Sequence, residues 1–154
     1  MRITPRTITK DKRKTLDHLI AELRNKPSFD KVGAIGAFIG IVRGITSQGD
    51  EVAGLELEAY EEKADEVLEN ICQDLKQTEG IVDVQIYHFL GDFDVGEELV
   101  QVVVTGSHRE EVFKTLRLAV ERYKREAPIF KKELIIEKET GRRKEYWTQE
   151  VDRT

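Results

Sequence analysis

A helical period that stops at a proline is the feature of this chain that most restricts its fold. Between residues 107 and 127 the apolar side chains Val112, Phe113, Leu116, Leu118, Ala119 and Val120 recur at helical spacing, and Pro128 then forbids continuation. Ser107 is a suitable N-cap, with Glu110 three residues on as in a capping box. Beyond the proline, Ile129, Phe130, Lys131, Lys132 and Glu133 read as extended backbone. The segment predicts a helix that feeds directly into a strand, with His108 and Arg109 at its start and Lys124 in its last turn.

That layout has the makings of an anion site. Unpaired backbone N–H groups in a first helical turn attract negative charge, so an imidazole and a guanidinium there complete a cradle for phosphate or carboxylate. The break at Pro128 offers a way to bring Lys124 and Lys131 onto one site. Each residue also has a plainer use. Lysine at a helix C-terminus is favoured by the dipole alone, Lys-Lys-Glu is an ordinary solvated strand face, and His108 and Arg109 can pair with Glu110 or Glu111.

At 154 residues, 39% apolar and 36% charged, the chain suits one domain with a real core. Its net charge of −5 argues against a general nucleic-acid binder and leaves small anions as the expected ligands. Cys72 is the single cysteine and falls on the apolar side of a predicted helix, which excludes a disulfide framework and a thiolate metal cluster and fits a reducing, cytoplasmic setting. The longest apolar run, residues 32–42, is too short and too glycine-rich to span a bilayer, and the N-terminus lacks the layout of a signal peptide.

Elsewhere, residues 2–9 alternate weakly as a short strand, and residues 11–24 form a helix with Leu16, Ile20 and Leu23 on one face, ended by Pro27. Residues 32–43 read as a buried strand with Gly33, Gly36 and Gly40, a pattern suited to close packing or to backbone approaching a ligand. A polar loop, residues 44–50, then leads into a second strand over 51–60, which predicts a hairpin. Residues 61–77 carry Ala64, Val67, Leu68, Ile71 and Leu75 at helical spacing, and Gly80 closes that helix. Strands are expected over 81–89 and 99–105, with Gly91 and Gly96 supplying turns between them, and again over 129–138 and 142–151 about a turn at Gly141. With no repeat and no linker, the pattern is one α/β domain with hairpins.

Several separated segments then agree with one family. They are Gly33-Ala34 leading to Phe38-Ile39-Gly40-Ile41-Val42-Arg43, then Leu57-Glu58-Ala59-Tyr60, then His88 with Gly91 and the Val95-Gly96-Glu97 turn. The most specific set is Ser107-His108-Arg109, Tyr123-Lys124 and Ala127-Pro128-Ile129-Phe130-Lys131-Lys132-Glu133, closing on Trp147. In order and spacing, over about residues 33–148, the chain resembles the large, catalytic subunit of molybdopterin synthase.

The resemblance implies a single α/β (α+β) domain over residues 1–154, of the α/β hammerhead type, with antiparallel strands, hairpins and about three helices. It implies a sulfurtransferase of molybdenum-cofactor biosynthesis. Sulfur would pass from the C-terminal Gly-Gly thiocarboxylate of a small ubiquitin-like carrier subunit to cyclic pyranopterin monophosphate, forming the molybdopterin dithiolene. The implied assembly is a heterotetramer around a homodimer, with no metal, cofactor, nucleic acid or membrane. By the same resemblance, Arg43, His108 and Arg109 bind substrate anions, as guanidinium suits bidentate phosphate contact, and Ile41 and Val42 line the pocket. Lys124 and Lys131 would bind substrate and carry the chemistry, as acid/base or electrostatic stabiliser, while Lys132 and Glu133 stand at the pocket edge, Glu133 orienting a lysine.

The chain departs from the family pattern at four places. His88-Phe89 stands where His-Arg is usual, which removes a cation and makes that position structural or supplemented from elsewhere. Phe130 replaces a tryptophan but keeps an aromatic wall. The arginine that reaches the neighbouring subunit's site has only Arg142, Arg143 and Arg153 as candidates, and residues 1–30 match poorly. These departures keep open an alternative, a non-catalytic module of the same fold that captures a ubiquitin-like tail or a phosphorylated ligand.

Overall fold

The computed structural model describes residues 4–149. Its elements run β1 (Arg6–Thr9), α1 (Leu16–Arg24), β2 (Ala34–Ile41), β3 (Glu51–Ala59), α2 (Glu61–Lys76), β4 (Ile81–Phe93), β5 (Glu98–Gly106), α3 (Arg109–Glu126), β6 (Ile129–Ile136) and β7 (Arg143–Gln149). The strands form one sheet in the order β2-β5-β4-β3-β6-β7, antiparallel throughout, with β1 added parallel to β4. Three helices and two tight hairpins, β4–β5 and β6–β7, match the expected single domain.

The strongly periodic segments fold as their patterns dictate. In α2 the residues Ala64, Leu68, Ile71, Cys72 and Leu75 are buried against the sheet, and each large apolar side chain fully removed from water contributes about 1.5–3 kcal/mol. The Cys72 thiol is therefore packing, and burial pushes its pKa well up, so that it stays protonated. In α3, Val112, Thr115, Ala119 and Tyr123 face the core. His108, not Ser107, is its N-cap, and no side chain caps it. The expected capping box fails because the Ser107 amide is drawn to the Gly80 carbonyl at 2.8 Å, which moves the helix start one residue on.

The N-terminal helix is shorter and rotated from its expected face. Residues Lys10–Lys12 form a separate 3-10 turn, Thr15 caps α1 by accepting the His18 amide at 3.1 Å, and the buried pair is Leu19 and Leu23 rather than Ile20. Pro27 opens another 3-10 turn, Pro27–Lys31.

Two strand expectations are corrected. Among the described residues β2 is an edge strand, paired only with β5 and mostly half-exposed, rather than a buried one. It also forms no hairpin with β3, which pairs instead with β4 and β6. A turn closed by Thr46 and Asp50 and a bridge between Ile45 and Glu51 are what remains of that hairpin. Gly91, expected in a turn, lies within the thirteen-residue strand β4, where its φ of +125° marks the change of neighbour from β1 to β3. The reversal itself is confined to residues 94–97. No helix among the described residues is long and apolar enough to cross a membrane.

Candidate active site

β2 ends where β6 passes, and a cavity of about 320 Å³ opens between them. Ile41, Val42 and Arg43 from the end of β2 line it, with Ile45, Thr46 and Ser47 from the following loop, and Lys131 and Glu133 from β6. Successive side chains of a strand point to opposite faces, so Lys131 and Glu133 share the cavity face while Lys132 is directed away. The Lys131 ammonium stands 3.3 Å from the Glu133 carboxylate, both half-buried. Arg43 is exposed beside them. An exposed guanidinium and an ammonium held by one carboxylate make a cavity suited to a ligand that is more anionic than Glu133.

Lys132 is engaged on the other face of β6. It binds Glu56 at 3.0 Å and Glu145 at 3.6 Å, with the Trp147 ring 5.2 Å away. The Glu56 carboxylate first, then Glu145, hold its pKa above the ordinary lysine value, so it is a fixed cation in a cross-strand ion pair. The structure thus separates Lys132 from the cavity that Lys131 lines.

Lys124 is half-buried in the last turn of α3, separated from β6 only by Ala127 and Pro128, and is not among the cavity-lining residues. His108 and Arg109 are exposed at the opposite end of the molecule. β2 and β5 are antiparallel, with Ala34 opposite Gly106, so the α3 start adjoins the beginning of β2 whereas Arg43 follows its end. At roughly 3.3 Å per residue this places the two clusters about 25 Å apart. Within one chain, His108 and Arg109 do not share a site with Arg43 and Lys131.

The departures from the family pattern acquire positions. His88 is fully buried, its Nδ1 3.1 Å from the Phe89 carbonyl and its ring edge-on to Tyr123 at 5.6 Å, as a structural histidine. Phe89 is a fully buried core residue, and the Arg13 guanidinium stands 5.9 Å over its ring. Phe130 packs edge-on against Tyr60 at 5.5 Å. Arg142 and Arg143 are exposed around the start of β7, and Arg153 lies outside the described residues.

The cavity residues that the motifs did not single out are Ile45, Thr46 and Ser47, along with Val52, Leu55 and Leu99 below them. The polar run Ser47-Gln48-Gly49, four residues after Arg43, is the available signal. A larger cavity, about 630 Å³, lies between α1 and α2 beside β4. Its buried acid, Asp83, is already satisfied by Lys26 at 2.6 Å, by the Val84 amide and by Gln85. No group of three or more metal-binding side chains occurs among the described residues.

Comparison with known proteins gives this geometry a family. The probable molybdopterin synthase of Haloferax volcanii is 35% identical over 126 residues, or 81% of this chain, and the chain spans only 48% of that protein. The molybdopterin synthase catalytic subunit of Pyrococcus abyssi is 35% identical over 127 residues, covering 82% of this chain and 85% of its own length. Among solved structures, the molybdopterin biosynthesis MoaE protein of Burkholderia ambifaria superposes with a TM-score of 0.76 at 30% identity, over 98% of this chain and 92% of that one. The family model for the MoaE protein matches residues 9–126, taking in α1 as well as the segments that carry Arg43 and Lys124. On that match, and with relatives similar along most of its length, the chain belongs to the MoaE family.

Proposed function

We propose that the chain is the catalytic subunit of a molybdopterin synthase, moving sulfur from the C-terminal thiocarboxylate of a small ubiquitin-like carrier to cyclic pyranopterin monophosphate. The observation that carries this reading is the cavity that joins Arg43 to the Lys131–Glu133 pair. Both reactants are anionic, one a cyclic phosphate and the other a thiocarboxylate, and a cavity that sets a half-buried lysine beside an exposed arginine offers such groups fixed positive charge. Arg43 takes the phosphate, and Lys131, oriented by Glu133, faces the reacting carbons as acid/base or as fixed charge. Lys124 joins them from the end of α3.

The site is completed by a second copy of the chain. β2 presents an unpaired edge among the described residues, and two such edges pairing antiparallel about a two-fold axis set the start of one strand beside the end of the other. His108 and Arg109 of one copy then stand beside Arg43 of the other, which removes the 25 Å separation at one step. The carrier binds at the cavity mouth, where Ile41 and Ile45 are exposed apolar residues. We place the reaction in the cytoplasm, since a chain with one cysteine has no structural need of an oxidising compartment.

The alternative of a non-catalytic module rests on His88-Phe89 and on the unplaced C-terminal arginine, and the first of these is answered by the position of Phe89. That residue lies in the core and does not line the cavity, so its lack of charge takes nothing from the site. The test is a single-turnover assay with the cyclic precursor and a thiocarboxylated carrier, the dithiolene product being read after oxidation to a fluorescent pterin. Product establishes the synthase. Tight binding of both partners with no product establishes the module.

A further inference from the structure

We propose that Lys10 and Arg13 form a clamp which, through Glu97, positions Arg43 in the cavity. The proposal rests on the reading of Arg43 as the phosphate ligand.

Three groups converge on the Glu97 carboxylate. Its Oε2 accepts the Asp94 amide at 2.7 Å and the Lys10 ammonium at 3.0 Å, and its Oε1 faces the Arg13 guanidinium at 3.3 Å. Both cations also lie over aromatic rings of β4, Lys10 at 5.3 Å from Phe93 and Arg13 at 5.9 Å from Phe89. A single exposed ion pair contributes little, but here two cations share one acid, and each is backed by a ring face. The 3-10 turn at Lys10–Lys12 holds both on the same side of the chain.

Glu97 belongs to the reversal between β4 and β5, and that reversal is hydrogen-bonded to the residue before Arg43 and packs against the residue after it. The Val42 amide donates to the Glu97 carbonyl at 3.0 Å, and the Gly96 amide donates to the Val42 carbonyl at 2.9 Å. On the other side, Gly44 lies so close to Val95 that a Cβ there would meet its Cγ1 at 3.1 Å. Arg43 is therefore suspended between two residues whose positions the reversal sets, while its own side chain stays exposed. Loss of the clamp frees the reversal, the reversal carries Val42, and Val42 carries Arg43. Lys10, Arg13 and Glu97 are thus positioning residues that touch no substrate.

The experiment uses the full chain in three forms: Lys10→Ala with Arg13→Ala, Glu97→Gln, and the conservative Arg13→Lys. Glu97→Gln retains an oxygen for the Asp94 amide while removing the charge and one acceptor, which protects the test from simple misfolding. Hydrogen exchange is read first, without substrate. In the double variant, exchange over residues 41–45 should accelerate about tenfold while α2 stays protected. Steady-state kinetics with the carrier should then show KM for the cyclic precursor raised roughly tenfold with kcat changed by less than about twofold, and Arg13→Lys should recover most of the loss. Unchanged exchange over residues 41–45 overturns the clamp. So does equal acceleration in α2, which means general loosening, or a fall in kcat at constant KM. An unmodified chain with no activity would remove the synthase reading yet leave the exchange result to decide the clamp.

Discussion

Lys131 and Glu133 project from one face of β6, the ammonium of the first 3.3 Å from the carboxylate of the second. This i, i+2 pairing follows from strand alternation, and it engages one of the three lysine donors of a residue that lines the cavity. Lys131→Ala should lower kcat roughly 100-fold or more with the circular dichroism spectrum unchanged. Lys124→Ala should also lower kcat without loss of fold. Normal turnover in either variant would exclude that lysine from the chemistry.

Arg43 is expected to act in binding rather than in the chemical step. A charge-assisted contact to phosphate is worth about 1.5–3 kcal/mol, so Arg43→Ala should weaken binding of the cyclic precursor by roughly 10- to 150-fold in calorimetry. Arg43→Lys should recover only part of this, because an ammonium cannot make the bidentate contact. Affinity equal to that of the unaltered chain would move the phosphate elsewhere.

The parts of this molecule legible in the sequence are those fixed by local rules. The α2 and α3 periods, the stop at Pro128 and the place of His108, Arg109 and Lys124 along their helix depend on neighbours a few residues away. The choice of strand partner does not. The polar loop over residues 44–50 between two strand-forming segments reads as a hairpin, but β3 pairs with β4 and β6 instead, and nothing local reports that. The candidate site failed to assemble in one chain for the same reason. The family resemblance groups His108 and Arg109 with Arg43 and Lys131, whereas the antiparallel register of β2 on β5 sets the first pair at the opposite end of the chain's fold from the second. The part played by Lys10 and Arg13 was hidden because their partner, Glu97, is more than eighty residues away in sequence.

Gly33 is required by contact rather than by backbone angle. A Cβ there would lie 2.2 Å from the Ser107 carbonyl oxygen, and neither backbone can yield without moving the start of α3. Gly33→Ala should therefore cost about 1–3 kcal/mol, seen as a lower melting temperature. It should also reduce anion binding at His108 and Arg109. An unchanged melting temperature would show that the two segments part freely.

Acid should act through Glu97. The Asp94 amide first, then Lys10, with Arg13 adding to it, holds its carboxyl at about 2, against an ordinary value of 4.5. A carboxyl depressed by folding contributes its stabilisation in full above the unfolded value and loses it as the pH falls through the folded one. The melting-temperature gap between the unaltered chain and Glu97→Gln should accordingly be widest above pH 4.5 and close as the pH falls towards 2. Because the group is only half-buried and solvent reaches it, added salt should narrow the gap at every pH. A gap constant down to the acid limit would mean that the ion pairs with Lys10 and Arg13 contribute nothing.

The sharpest consequence of the β2 edge concerns two defective chains. If each cavity draws Arg43 and Lys131 from one copy and His108 and Arg109 from the other, Arg43→Ala and Arg109→Ala homodimers each lose both sites. In a mixed dimer both defects fall together in one site and the other is intact. Random exchange of the two chains makes half the dimers mixed, so the mixture should regain about a quarter of the unaltered activity. A double variant, Arg43→Ala with Arg109→Ala, mixed with the unaltered chain, reads the same arrangement in reverse. Its mixed dimers carry one defect in each site, and activity should fall to about a quarter instead of the half expected of independent chains. Sites contained within single chains predict no recovery in the first mixture and no excess loss in the second, so the pair of measurements separates a shared site from a private one without any structure of the complex.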